Sequence, residues 1–348
     1  MDVKVQSRAK KYRFAMVKFK CSMNLPKQSV SFPRPSPMKA LTAGFDAISA
    51  HLNLVLFSIC LDLLLWLGPR IGIVSLLSSA LEQMRAIPTV ETPELLEQLQ
   101  SLIQNLNLFS FLRTYPVGVP SLMASRLSLD TPAGAAIGWD ISSAAPAFGV
   151  LLIFTLAGLA AGTLFFSVVA QSALTGKVIW MDALSQWPRA CLQVGLLALT
   201  CFLLILAAFL PFSCLMAFII SGSGFGQVGY LILLVFGGFI IWLFAPLVFS
   251  PHGIFVNQAN VLASILRGFY LTRLTLPTTS LMFLIFLVLS EGLDILWNIP
   301  SNSSWLMLLG IVGHAFVTTS LLAASFVYYH DAEVWVNELI KEVRLSSA

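Results

Sequence analysis

The sequence predicts an all-α fold: a polytopic membrane helix bundle of about six transmembrane helices, with interfacial amphipathic helices beside them. Three observations carry this. The 348 residues are 57% hydrophobic and only 10% charged, where a soluble domain carries about 25% charged residues. Between Arg189 and Arg267, 77 consecutive residues (190–266) include no Asp, Glu, Lys or Arg. Apolar runs of about 20 residues recur, the length a bilayer core requires, and they lack the alternation of barrel strands. Water does not tolerate contiguous apolar surface on that scale, and lipid does.

Charge divides the chain. Residues 1–39 hold ten Lys or Arg and one Asp; residues 40–348 hold ten basic and fifteen acidic residues. The stretch 1–38 has no apolar period, ends in a Pro/Ser cluster and reads as a disordered basic tail. A nucleic-acid-binding tail has this composition, but in a membrane chain a cytoplasmic orientation signal is the plainer meaning, so no nucleic-acid partner is expected. Translation starting at Met38, or an organelle transit peptide, would give the same appearance.

The membrane domain is expected over 39–335. Its first span is "HLNLVLFSICLDLLLWLGP" (51–69), stopped by Gly68-Pro69. "IGIVSLLSSALEQM" (71–84) is too short to cross and is assigned to the interface. An extracytoplasmic helical insertion follows at about 86–145. It contains "TPELLEQLQSLIQNLNLFSFLR" (92–113), where Pro93 opens a helix and Leu95, Leu99, Leu102, Leu106 and Phe109 form one stripe. Further spans are expected at about 146–170, 191–219 (interrupted at Pro211), 227–249, 275–295 and 305–329. "WMDALSQWPRACL" (180–192) and "NVLASILRGFYLTR" (260–273) read as matching interfacial basic helices, each placed between two spans. In the second, Val261, Leu262, Ile265, Leu266 and Phe269 form the apolar side. Residues 336–348 form an amphipathic tail.

With the N-terminus inside, Lys177 and Arg189, Arg267 and Arg273, and Lys341 and Arg344 all fall in cytoplasmic segments. The short connections 220–226 and 296–304 carry no basic residue, so both termini are expected in the cytoplasm of a plasma (inner) membrane. Lys177, Arg189, Arg267 and Arg273 are the candidate contacts to lipid headgroups.

Asp62 within the first span, Glu291 and Asp294 closing the fifth, and His314 in the sixth are the polar intramembrane candidates. Carboxylates are costly to bury there, so they would line an outward-facing cavity or simply meet water and backbone carbonyls. "SGSGFGQ" (221–227) suggests a hairpin between spans rather than a phosphate loop, because it follows no strand. "GLAAG" (158–162) is a GxxxG pair that allows close helix approach within the bundle or between subunits. Asn302 begins an "NSS" acceptor of the kind glycosylated in a secretory pathway. The five cysteines show no metal or disulfide spacing. No hydrolase, zincin or nucleotide-loop pattern is present, so no catalytic residue, cofactor or metal is expected.

"FAPLVFSPHGIFVNQANVLASILRGFYLTR" (244–273), with Ala263, Ser264, Leu266 and Gly268, resembles the membrane domain that precedes some glycerophosphodiester phosphodiesterases, and its bacterial multi-pass relatives. "FVYYHDAE" resembles that group's exit from the last span. The likeness covers about 146–335 and implies the six-span architecture alone. The catalytic barrel of that group, roughly 250 residues, does not fit in this chain. The leading expectation is a non-enzymatic accessory, scaffold or envelope-maintenance protein, contacting membrane lipids and either a protein partner or further copies of itself. The alternative is a transporter or permease subunit for a small or lipid-like solute.

Overall fold

The computed structural model describes residues 33–85, 93–126, 130–223 and 227–346. Among these run helices α1 (Pro37–Ala50), α2 (Leu56–Leu67), α3 (Val74–Arg85), α4 (Pro93–Asn105), α5 (Ala144–Thr175), α6 (Trp180–Ser223), α7 (Gln227–Phe244), α8 (Ser250–Asn257), α9 (Val261–Leu274), α10 (Leu276–Trp297) and α11 (Met307–Ser346). The protein is an integral membrane helix bundle. Five helical segments are long and apolar enough to cross a bilayer, and a sixth crossing requires counting a bent pair as one. The basic tail at 1–32 and the centre of the 221–227 hairpin lie outside the described residues.

Helix begins earlier than the first apolar run. Ser36 sits in extended backbone with its hydroxyl accepting from the Lys39 amide, and Pro37 opens the first turn; both residue types favour such a start. After α1, His51 leads into a 3-10 turn (Leu52–Val55), and α2 departs at 92° to α1. The straight span expected at 51–69 is therefore the second arm of a bent helix pair whose first arm starts at Pro37. The cause is tertiary. Gly44 lies so close to α11 that a Cβ there would stand 2.4 Å from the Ala324 nitrogen, and His51 Nε2 meets the Gly176 carbonyl at 3.1 Å.

The segment 106–126 departs further from expectation. The sequence places it outside the spans, yet Val117 and Val119 are buried in one core with Ile48, Leu54, Phe165 of α5 and Phe326 of α11. The GLAAG glycines make the room. A Cβ on Gly158 would stand 2.3 Å from the Leu112 carbonyl oxygen, and one on Gly162 would stand 2.6 Å from Gly118 Cα. Gly158 is fourteen residues past Ala144, about 21 Å along α5 at 1.5 Å per residue. The glycine pair thus seats the insertion's backbone instead of another span. Such irregular backbone persists at membrane depth only when surrounded by protein.

The expected stripe of 92–113 also breaks. α4 stops at Asn105, and Asn107 Oδ1 accepts from both the Phe109 and Ile71 amides. Leu102 stays 47% exposed while Leu108, outside the stripe, is buried. Phe109 stacks on Phe154 of α5 at 4.5 Å. Before α3, β1 (Arg70–Gly72) pairs in parallel with β4 (Gly138–Asp140); β2 (Asp130–Thr131) and β3 (Gly134–Ala135) form a short antiparallel pair. Asp140 then caps α3, accepting from the Val74 and Ser75 amides at 2.7 and 3.1 Å and from the Ser75 hydroxyl.

The basic helix expected at 180–192 is not separate. It is the first quarter of α6, which runs through Pro188 and Pro211 for 44 residues, about 66 Å and twice a bilayer core. Trp187 Nε1 fastens it to the Ala160 carbonyl of α5 at 2.9 Å. The tail expected at 336–348 is likewise continuous with its span, as the end of the 40-residue α11. α11 is the bundle's centre: 56% of its most apolar window is buried, against 0% of the corresponding window within Leu231–Asn257, whose buried residues lie at 250–254.

Helix α9 divides its expected apolar side, with Val261 and Ile265 packed against the core. Ser264, Gly268, Leu271 and Thr272 are buried, while Leu262 is 71% exposed and Leu266 and Phe269 lie outward. Small residues face protein because the approach is close: a Cβ on Gly253 would stand 2.1 Å from the Ser264 hydroxyl oxygen. The bulky face is left for the hydrocarbon, as packing in lipid favours.

Candidate functional site

The four polar intramembrane candidates separate into two groups. Asp62 does not line a cavity and does not meet His314. It is fully buried and accepts from the Ser121 hydroxyl at 2.5 Å, the Met123 amide at 2.9 Å and the Leu122 amide at 3.2 Å. Its oxygens are committed to capping the 3-10 turn Met123–Ser125, because that turn has no backbone acceptor for its first amides. His314 and Asp294 are brought together, with Nε2 and Oδ1 3.8 Å apart across α11 and α10. Glu291 lies one turn earlier on α10 and is exposed.

Arg113, which the sequence does not mark out, donates to the carbonyl of Ser121, the residue whose hydroxyl Asp62 accepts from, at 3.0 Å and stands 5.7 Å over the Tyr115 ring. Arg126, also missed, clamps the connection between α10 and α11. Its guanidinium donates to Asn298 Oδ1 at 2.7 Å, to the Pro300 and Trp297 carbonyls at 3.4 Å and to Asn302 Oδ1. Burial pulls the Arg126 guanidinium below its ordinary pKa. Trp66 Nε1 donates to the Asn302 carbonyl at 2.8 Å, so Asn302 is held on two sides. Only the chain fold brings residues 126 and 298–302 together; no local signal marks them.

The opposite end of the bundle gathers the cationic candidates. Lys177 is exposed in the turn after Gly176, and Arg273 is exposed in the last turn of α9. Arg189 donates to the Gln258 carbonyl at 2.6 Å. Arg267 pairs with Glu333 of α11 at 3.8 Å, and Glu333 accepts from Asn257 at 2.8 Å. Beneath them His252 is buried, its Nε2 2.8 Å from the Ser325 hydroxyl and its ring against Phe326 and Tyr329. The connection 250–260 is therefore a packed polar junction and not a simple loop.

A cavity of about 250 Å³ opens at this end between α5, α6 and the α8–α9 turn. Gln171, Gln186, Arg189, Gln193 and Gln258 supply its polar lining, with Ala170, Ile254 and Phe255 among the apolar wall. Gln258 is held in left-handed backbone (φ 49°) by contacts at both its carbonyl and its side chain, the latter donating to Gln186 at 2.7 Å. Among the described residues no group of three or more His, Cys, Asp or Glu stands together as a metal site. Compared with family models, curated proteins and solved structures, the chain matches none.

Proposed function

We propose that this integral membrane protein is a non-enzymatic scaffold of a plasma (inner) membrane, with both termini cytoplasmic and the 176–190 and 258–273 end set against anionic lipid headgroups. One observation carries the reading. Three segments distant in sequence deliver Lys177, Arg189, Arg267 and Arg273 to one end of the bundle, two of them fixed by protein partners. The uncharged stretch 190–266 starts immediately after Arg189, which marks where headgroup gives way to hydrocarbon. Each cation near an anionic surface contributes about 1 kcal/mol.

Reconstitution into neutral and anionic vesicles tests this. Thermal stability is expected to be higher in anionic vesicles, and the difference should shrink with salt and with Gln replacing all four cations. Equal behaviour of the native chain in both vesicle types would reject the reading.

The transporter reading is favoured by a different observation. The 92° bend between α1 and α2 and the irregular segment beside Gly158 and Gly162 are the interrupted elements from which transporters build midplane sites. Single cysteines along 112–119 test it. Labelling from both sides of the membrane would support a path there, and labelling from neither side would remove it.

A further inference from the structure

The cavity at the cationic end differs from a general basic surface in the hydrogen-bonding groups it offers. Gln171 Oε1 accepts from the Ile179 amide and Gln193 Oε1 from the Val261 amide, both at 3.0 Å. A backbone N–H has only one role, so these contacts fix which end of each carboxamide is oxygen. Each of these two oxygens has one lone pair engaged, and each glutamine keeps an NH₂ group with two donors. Gln186 pairs with the Gln258 carboxamide, its Oε1 accepting from Gln258 Nε2 at 2.7 Å. Arg189 is a donor only and spends one N–H on the Gln258 carbonyl.

Three amides and a guanidinium thus bring donors to a space also lined by Ser167, Thr175 and Gln258 and by apolar side chains. A ligand rich in acceptors satisfies these donors, and the single cation matches a single negative charge. The volume of about 250 Å³ lies below the roughly 300–1,000 Å³ of sites that enclose a whole drug-sized molecule. It suits an anionic group with its apolar remainder outside, among lipid.

We infer that this cavity is a stoichiometric oxyanion site, formed by Gln171, Gln186, Arg189 and Gln193, that takes the phosphodiester of an anionic lipid. A free phosphate offers the same oxygens, and the two sources differ in whether the hydrocarbon wall contributes. The inference deepens the scaffold reading and rests on it for the lipid surface. It adds one saturable position to what would otherwise be a diffuse attraction.

Native mass spectrometry of the full chain in detergent, titrated with phosphatidylglycerol or phosphatidylcholine, gives the test. One phosphatidylglycerol should be retained roughly tenfold more tightly than phosphatidylcholine, equivalent to about 1.4 kcal/mol. Arg189→Gln should abolish the preference, and Lys341→Gln, at an exposed cation of α11 outside the cavity and the proposed headgroup contacts, should leave it. Ala190→Leu, which fills the cavity without changing charge, should also abolish it, and thermal unfolding identifies any variant that has lost its fold. Displacement of the lipid by millimolar phosphate would assign the site to the oxyanion alone; resistance to displacement would assign it to the lipid. Equal losses from Arg189→Gln and Lys341→Gln, or an unaffected Ala190→Leu, would overturn the cavity while sparing the scaffold reading. No preference at all in the native chain, in detergent and in vesicles, would remove both.

Discussion

Asp62 accepts the Met123 amide at 2.9 Å from the middle of α2, so one carboxylate holds the non-helical segment 106–126 inside the bundle. The pairing turns a costly intramembrane charge into a cap. It also explains why an acidic residue is placed in an otherwise apolar run.

Removing that carboxylate should therefore loosen the segment. Asp62→Ala leaves two backbone amides and a hydroxyl without an acceptor, at a cost of about 1–3 kcal/mol for each buried group left unsatisfied. Asp62→Asn keeps one acceptor oxygen and should lose less. Thermal unfolding in detergent and proteolysis within 106–126 measure both; an unchanged Asp62→Ala would contradict the capping role.

The glycines of α5 provide an internal contrast. Gly149 has open space around its Cβ position, and Gly149→Ala should stabilise the helix by about 0.8–1 kcal/mol. The same change at Gly158 or Gly162 drives a methyl into the insertion's backbone and should cost about 1–3 kcal/mol. Opposite signs on one helix, read from melting temperatures, are the expected result.

Asp140 should make the cap of α3 acid-sensitive. The Ser75 hydroxyl and the Ser75 and Val74 amides hold its carboxyl below the ordinary value of 3.8. A carboxyl with a depressed folded pKa contributes fully above its unfolded pKa, and that contribution disappears as pH falls through the folded value. Hydrogen exchange at the Val74 and Ser75 amides should accelerate beyond its intrinsic rate only below about pH 4, and Asp140→Asn should remove this pH dependence.

On α9 the burial of small residues predicts an unusual mutational pattern. Ser264 is fully buried and donates to the Ser250 carbonyl at 2.5 Å, so Ser264→Leu should destabilise the α8–α9 junction by about 1–3 kcal/mol through overpacking. Leu262→Val, on the lipid-facing side, should stay within about 0.5 kcal/mol. Comparable losses at the two positions would argue against the orientation.

Releasing the Arg126 clamp should free the connection between α10 and α11. Arg126→Lys retains the charge but cannot reach Asn298, Asn302 and two carbonyls together. Faster hydrogen exchange confined to 298–306 is the expected readout, and a global change in its place would show that Arg126 acts more widely.

Much of the architecture was legible from the chain alone. Apolar run length located five spanning helices to within a few residues at most ends, because a bilayer selects for length and apolarity, which are local properties. The positions of Lys177, Arg189, Arg267 and Arg273 were legible for the same reason. The cavity among the glutamines was not. Gln186, Arg189 and Gln193 share one face of α6 by their spacing, but they meet Gln171 and Gln258 only because α5 and α6 pack together beside the α8–α9 turn. The stripe at 92–113 breaks, and the apolar side of 260–273 divides between core and surface, for a shared physical reason. In a membrane, a bulky apolar face no longer identifies the buried side, since lipid accepts it equally well.

The sequence by itself determined that this chain enters a bilayer, how many long apolar segments it offers, and where its charges stop. The tertiary structure decided which surfaces became interior. It bent the first span at His51, drew 106–126 against Gly158 and Gly162, and made Asp62 a cap. The reason is that lipid removes the hydrophobic drive between helices, leaving close packing and the pairing of polar groups to choose contacts. Those depend on which backbones approach each other, and that approach exists only once the bundle has formed.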